Sequence, residues 1–283
     1  MIYTDYWNMN EGPFEENLDT KFFFESDEHR EALDRMLYIV NDKNMNMGLL
    51  TGEIGSGKSL TRKVFLSTLS SKKFCPIFFE NSNFPFTDLL YDIIINITFN
   101  DPRLDMHFQD ESPVRGDKYL LMNIFKSKLK RLVYEENRKL ILVFDESQQM
   151  SEDVMDEIKN LTNISSDVEN YMSVFFVGQP ELREKVRLLK QIDQRIFLRF
   201  HINNLDYNNT SKYIHHRLRV AGIVRNNIFT DDSIESIYRN TAGVPREINR
   251  LCKLALTNGF ATELSEITAD DIAVITEDLD LHR

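Results

Sequence analysis

Cysteine is scarce, with Cys75 and Cys252 the two among 283 residues. Two thiols cannot build a disulfide framework, nor a four-ligand zinc site without help, and two buried thiols in a reducing cytoplasm are the plainer reading. Positive charge is also in deficit. Lys and Arg number 34 against 45 Asp and Glu, a formal net charge of −11 with a pI near 5.1. That excludes a polycation that coats DNA or acidic lipid with its whole surface, though not a local basic patch. Long apolar runs are missing too. DLLYDIIINITF, KLILVF and YMSVFFVG fall well short of the roughly 18–20 residues of a membrane-spanning helix. The opening MIYTDYWNMNEGPF has neither the basic nor the apolar region of a signal peptide. A soluble cytoplasmic protein with no integral membrane segment is expected. The six histidines show no metal spacing, and the adjacent His215 and His216 would point about 100° apart on a helix. No Ser/His/Asp or Cys/His arrangement, internal repeat or low-complexity tract is visible.

What is present is apolar and aromatic. Hydrophobic residues make up 42% and charged residues 28%, with 20 Phe and 10 Tyr, too greasy for a disordered chain. The length suits one large domain or a core with a satellite. Strand candidates at 46–51, 76–80, 140–144, 173–177 and 196–202 alternate with helical patterns at 58–70, 86–98 and 118–136. The Ile-Ile-Ile stretch within 86–98 would also suit a strand. Residues 100–117 are polar, contain Pro102 and Pro113, and are expected to form a loop or insertion. The order predicts an α/β fold with a mostly parallel sheet covered on both faces. From Leu205 the strand signal stops. Helical patterns at 207–221, 231–240, 247–258 and 268–276 predict a helical lid, with Thr268 and Asp271 as a capping pair. The expected division is an α/β domain at 1–204 and a lid at 205–283.

The strongest motif is Gly52-Glu53-Ile54-Gly55-Ser56-Gly57-Lys58-Ser59, a full GxxxxGKS. Its glycines let backbone N–H groups wrap a phosphate where a Cβ would clash, and the following helix turns its positive end to the same anion. Lys58 adds charge for the β/γ-phosphates, and the Ser59 hydroxyl suits Mg²⁺. Residues 52–60, ending at Leu60, are the expected nucleotide contacts. Next comes the apolar strand that ends in Asp145 and Glu146. Acids there lie at the carboxyl edge of a sheet, where α/β ligands bind. Asp145 would hold the metal shell and Glu146 would polarise an attacking water.

Four more polar residues bear on the chemistry. Gln179 follows another strand and can reach a γ-phosphate or a lytic water, or is simply the turn residue before Pro180. Arg246 follows Pro245, which favours the first position of a helix, and a phosphate nearby would offset the cost of a cation at that end. Arg195, with Arg199 second, could be presented to a neighbouring subunit's phosphate or be a surface cation. The run Lys126-Ser127-Lys128-Leu129-Lys130-Arg131 is first a solvated helix face and second a DNA patch.

Together these motifs resemble an AAA+ ATPase. More narrowly, Tyr6-Trp7-Asn8 through Gly12-Pro13-Phe14, His29-Arg30-Glu31-Ala32-Leu33, GEIGSGKS, DESQ, GQPELR, QRI and GVPREIN resemble the ExeA (GspA) family. Those ATPases assist type II secretion and pilus assembly, and relatives of the TniB and TnsC type serve transposition. The resemblance implies Walker A at Lys58 and Ser59, Walker B at Asp145 and Glu146, sensor 1 at Gln179, sensor 2 at Arg246 and the arginine finger at Arg195. It also implies that Pro13 and Phe14 lie over the adenine. DESQ stands where the family usually has DEAQ. The sequence ends soon after the lid, without the membrane helix and peptidoglycan-binding domain of larger members, so direct cell-wall binding is not expected of it.

The resulting expectation is a P-loop AAA+ fold that binds ATP and Mg²⁺ and hydrolyses ATP. It would form a hexamer-like ring with the site between neighbouring subunits and act on secretion or pilus assembly components. Two alternatives stand beside it: a transposition regulator that binds duplex DNA with ATP and recruits a transposase, and a non-hydrolysing nucleotide-dependent scaffold. The net charge weighs against DNA, and Glu146 weighs against the scaffold.

Overall fold

The computed structural model describes residues 2–99, 116–166, 169–223 and 228–281. The expected loop at 100–117 lies, but for its last two residues, outside them. In chain order the elements are α1 (Tyr3–Tyr6), α2 (Asp27–Asn41), β1 (Met47–Gly52), α3 (Lys58–Thr68), β2 (Phe74–Phe79), α4 (Phe86–Phe99), α5 (Lys118–Tyr134) and β3 (Lys139–Phe144). There follow α6 (Glu152–Leu161), β4 (Met172–Gly178), α7 (Pro180–Leu188), α8 (Lys190–Asp193) and β5 (Leu198–Ile202). The chain ends with α9 (Tyr207–Val220), α10 (Asp231–Thr241), α11 (Pro245–Ala261) and α12 (Ala269–Leu281).

The chain forms two compact units, each discontinuous in sequence. One comprises Glu31–Gly52 and Phe65–His201 and carries the sheet. The other comprises Met1–Arg30, Glu53–Val64 and Ile202–Arg283. The late helices therefore group together from Ile202 onward, along with the first thirty residues and most of the phosphate loop.

In the sheet unit the strand order is β2-β3-β4-β1-β5. The β2–β3, β3–β4 and β4–β1 pairs are parallel. Every residue of β1 and β4 is buried, which is why these segments are continuously apolar rather than alternating. In register, Phe79 lies opposite Phe144, and Phe144 opposite Phe176. Their rings stack across the three strands at 4.9 and 6.1 Å between centroids. Pro76 sits inside β2, at the sheet edge, where a missing N–H costs no central ladder bond. The Ile93–Ile95 run resolves as helix. Burial repeats at Phe86, Leu89, Leu90, Ile93, Ile94 and Ile97, a helical period that packs against the apolar core.

The other unit has its own core of Trp7, Phe14, Ile214, Ile237, Ile248, Cys252 and Leu256, among others. Helix starts are capped as the sequence dictates. Asp206 accepts from the Asn209 N–H and Thr230 from that of Ser233. Thr268 donates both its N–H and its hydroxyl to Asp271, each at 2.8 Å. Both cysteines are free and buried. Among the described residues no helix is long and apolar enough to cross a membrane.

Candidate functional site

β1 ends at Gly52, and the chain re-enters helix at Lys58. Between them Gly55 and Gly57 adopt φ of +81° and +99°, the left-handed region that favours glycine. The loop is closed by its own bonds. The Ser56 N–H donates to the Glu53 carbonyl at 3.1 Å, and Lys58 Nζ donates to the same oxygen at 2.7 Å. Ile54 is exposed, and Leu60 lies in the first turn of α3. Ser56 is fully buried, and its Oγ has no protein partner. A buried hydroxyl left without an acceptor, set among glycine turns at a helix N-terminus, fits a bound phosphate group.

Arg246 meets this loop from the first turn of α11. Its N–H donates to the Gly55 carbonyl at 3.3 Å. A Cβ on Gly55 would stand 2.8 Å from Arg246 Cβ and 3.0 Å from Val244 Cγ1, so glycine is required on space as well as φ. Pro245 opens the helix as expected. The sequence assigned no role to His29, named there only within a family stretch, and its Nε2 lies 3.2 Å from the Ser56 carbonyl oxygen. The serine three residues earlier, Ser26, caps α2 and is the signal that could have drawn attention to it.

In the sheet unit the parallel strands bring Gly52, Asp145 and Gln179 to one carboxyl edge. Asp145 is 6% exposed, donates its N–H to the Phe79 carbonyl at 2.9 Å, and accepts the Glu146 N–H on Oδ1 at 3.0 Å. The Ser82 hydroxyl donates to the Asp145 carbonyl at 2.8 Å. Glu146 has φ of 49°, an uncommon conformation for a residue with a Cβ. Its Oε2 accepts from Gln179 Nε2 at 3.2 Å and from Gln148 Nε2 at 2.5 Å. Gln148 Oε1 in turn accepts the Gln179 N–H at 3.2 Å. A Cβ on Gly178 would collide with that same Oε1. Gln148, the last residue of the DESQ stretch, is the second residue to which the sequence assigned no role.

Arg195 is exposed and donates from Nη2 to Asn163 Oδ1 at 3.0 Å. Arg199 is tied to Asp193, donating to its carbonyl at 2.6 Å and its carboxylate at 2.7 Å. Phe14 is 1% exposed, its ring edge-on to Phe229 at 6.3 Å. The aromatic expected over the adenine is thus a core residue, while the Pro13 carbonyl accepts from Arg217 Nε at 2.5 Å. On α5, Lys126 and Lys130 are exposed around a buried Leu129, the solvated face of an amphipathic helix. Among the described residues no three His, Cys, Asp or Glu side chains gather into a metal site.

Comparison with known proteins supplies the family. A family model described as an AAA domain matches residues 41–186. General secretion pathway protein A of Aeromonas hydrophila is 31% identical over 279 residues, covering 96% of this chain and 48% of that protein. The chain thus spans about half the length of that relative. The ORC2 protein of Aeropyrum pernix, in its ADPNP–ADP complexes, superposes with a TM-score of 0.62 at 17% identity over 93% of this chain and 70% of that one. CDC6P from Pyrobaculum aerophilum gives 0.62 at 13% identity, with coverages of 88% and 68%. At such identities the likeness is one of fold, a parallel sheet flanked by helices with a C-terminal helical region. The chain belongs to the AAA domain family, as an AAA+ ATPase domain homologous to General secretion pathway protein A.

Proposed function

We propose that the chain binds ATP with Mg²⁺ and hydrolyses it within a ring of its own copies, and that the cycle drives assembly or remodelling of a secretion or pilus apparatus. The phosphate loop carries this reading: Gly55 and Gly57 at positive φ, a buried Ser56 Oγ without an acceptor, and Lys58 and Ser59 opening the helix behind it. The secretion role rests on homology to a protein twice this length.

In this reading Lys58 and Arg246 offset the charge of the β/γ-phosphates, and Ser59 and Asp145 are the protein ligands of Mg²⁺. Bound ATP–Mg²⁺ supplies the transferable phosphoryl group and its charge neutralisation. Glu146 takes the proton from water. Gln148 and Gln179 hold its carboxylate by Oε2, so the base keeps one orientation before any ligand arrives.

Glu146→Gln is expected to leave nucleotide affinity within about twofold and to cut turnover by roughly 10²–10⁴. Phosphate release and binding of a fluorescent ATP analogue measure the two. Unchanged turnover would remove Glu146 from the role of base, and absent phosphate release in the unaltered protein would favour the scaffold. Duplex-DNA binding with ATP, falling steeply as salt rises, would favour the transposition reading. The net charge of −11 weighs against that outcome.

A further inference from the structure

His29 is the third residue of α2, and Ser26 caps that helix. The Arg30 N–H donates to the Ser26 carbonyl at 2.9 Å, and Ser26 Oγ accepts the His29 N–H at 3.3 Å. The same Oγ lies 2.6 Å from His29 Nδ1. Across the ring, Nε2 is 3.2 Å from the carbonyl oxygen of Ser56. A carbonyl can only accept, so Nε2 carries a proton and donates it. In the neutral ring Nδ1 is then the acceptor, and the Ser26 hydroxyl donates to it. Burial holds the imidazole below the ordinary histidine range, which favours that neutral form. The side chain is 5% exposed, with Phe23 edge-on at 5.8 Å.

A peptide unit is planar and trans, so its carbonyl and the following N–H point in opposite directions. Tying the Ser56 carbonyl to His29 therefore turns the Gly57 N–H away from the ring. The imidazole also fills the space beside Gly57, where an added Cβ would stand 2.7 Å from Nε2. Released from the ring, this glycine peptide could rotate and aim a carbonyl dipole where a donor is needed. We propose that His29 is a positioning residue for the phosphate loop, pinning the Ser56–Gly57 peptide so that the Gly57 N–H serves a nucleotide phosphate. The proposal rests on the nucleotide reading of the loop.

The test uses the full chain with His29→Gln, His29→Met and His29→Asn. Gln and Met have similar reach, but only Gln keeps an N–H donor. Asn is polar but too short to reach Ser56. Binding of a fluorescent ATP analogue is expected to weaken about tenfold in the Met and Asn variants and to stay within about threefold in the Gln variant. Without nucleotide, amide exchange in the peptide covering 53–58 should speed up in Met and Asn and stay slow in Gln. Equal affinity in all three variants would overturn the proposal. So would losses that track melting temperature rather than the presence of a donor. An unaltered chain that binds no adenine nucleotide would instead bring down the nucleotide reading, and this proposal with it.

Discussion

Lys139 opens β3 with its ammonium drawn inside. Nζ donates to the carbonyls of Val40 and Asp42 at 3.2 and 3.0 Å, where α2 ends and a cation is welcome. Burial outweighs that attraction and pulls its pKa from the ordinary 10.5 to about 8. The folded chain therefore gives up this proton before the unfolded chain does. Below about pH 8 the full burial cost is present, and between 8 and 10.5 the unfolded state binds more protons, so stability contributed here rises with pH. After allowance for its partial exposure the gain is on the order of 1–2 kcal/mol. Urea unfolding of the unaltered chain and of Lys139→Met at pH 7.5 and 10 should show their difference shifting by that amount in favour of the unaltered chain. A flat difference would mean the ammonium is solvated.

At the scale of elements, α11 holds a glycine where helices usually prefer alanine. Replacing an interior helical glycine with alanine gains about 0.5–1 kcal/mol in an open site. Gly259 is not open, because its Cβ would stand 2.8 Å from Trp7 Cζ2. That ring is 7% exposed, its indole N–H donates to the Leu256 carbonyl at 2.9 Å, and Tyr6 meets it edge-on at 5.0 Å. Overpacking of a held ring costs about 1–3 kcal/mol, so crowding wins. Gly259→Ala is expected to lower stability by about 1 kcal/mol and to shift the emission of the chain's one tryptophan. A rise in melting temperature with unchanged emission would refute that packing.

The same elements show what could be read from the sequence. β1, β3 and β4 stood out because burial on both faces makes them continuously apolar. α2 has no counterpart among the sequence expectations, although Ala32, Leu33, Met36, Ile39 and Val40 repeat with helical period. α6 shows the same after its Ser151 cap, at Val154, Met155, Ile158 and Leu161. α7 buries just Leu182 and Val186, too little for a period. β5, half-exposed at the sheet edge, begins two residues later than the apolar pattern suggested. The loop at 52–59 was legible because its chemistry is local. The amide pair on Glu146 was not, because Gln179 arrives 33 residues later through the pairing of β3 with β4. His29 and Ser56 are 27 residues apart, and no spacing rule links them. Phe14 shows a different limit: the sequence offers an aromatic for stacking, and its packing against Phe229 in a core of the helical unit has no local signal.

At the scale of the whole molecule, one copy is expected to complete another. Arg199 already has an anionic partner in Asp193, whereas Arg195 is exposed and donates to the neutral amide of Asn163. A guanidinium gains more from a phosphate than from an amide, so Arg195 is the better arginine to offer a neighbour. Head-to-tail contacts would pair one chain's Arg195 with the next chain's loop, as heterologous interfaces do. Two defective chains then complement each other. Arg195→Ala keeps its loop and lacks the arginine, while Lys58→Ala keeps the arginine and lacks a working loop. Each alone should lose at least 10³-fold in turnover. Mixed in equal amounts, about one interface in four joins an intact loop to an intact arginine, and activity should return to roughly a quarter of the unaltered level. Phosphate release across mixing ratios, after time for subunits to exchange, measures this. A mixture no more active than the mean of its parents would make Arg195 a residue of its own chain alone.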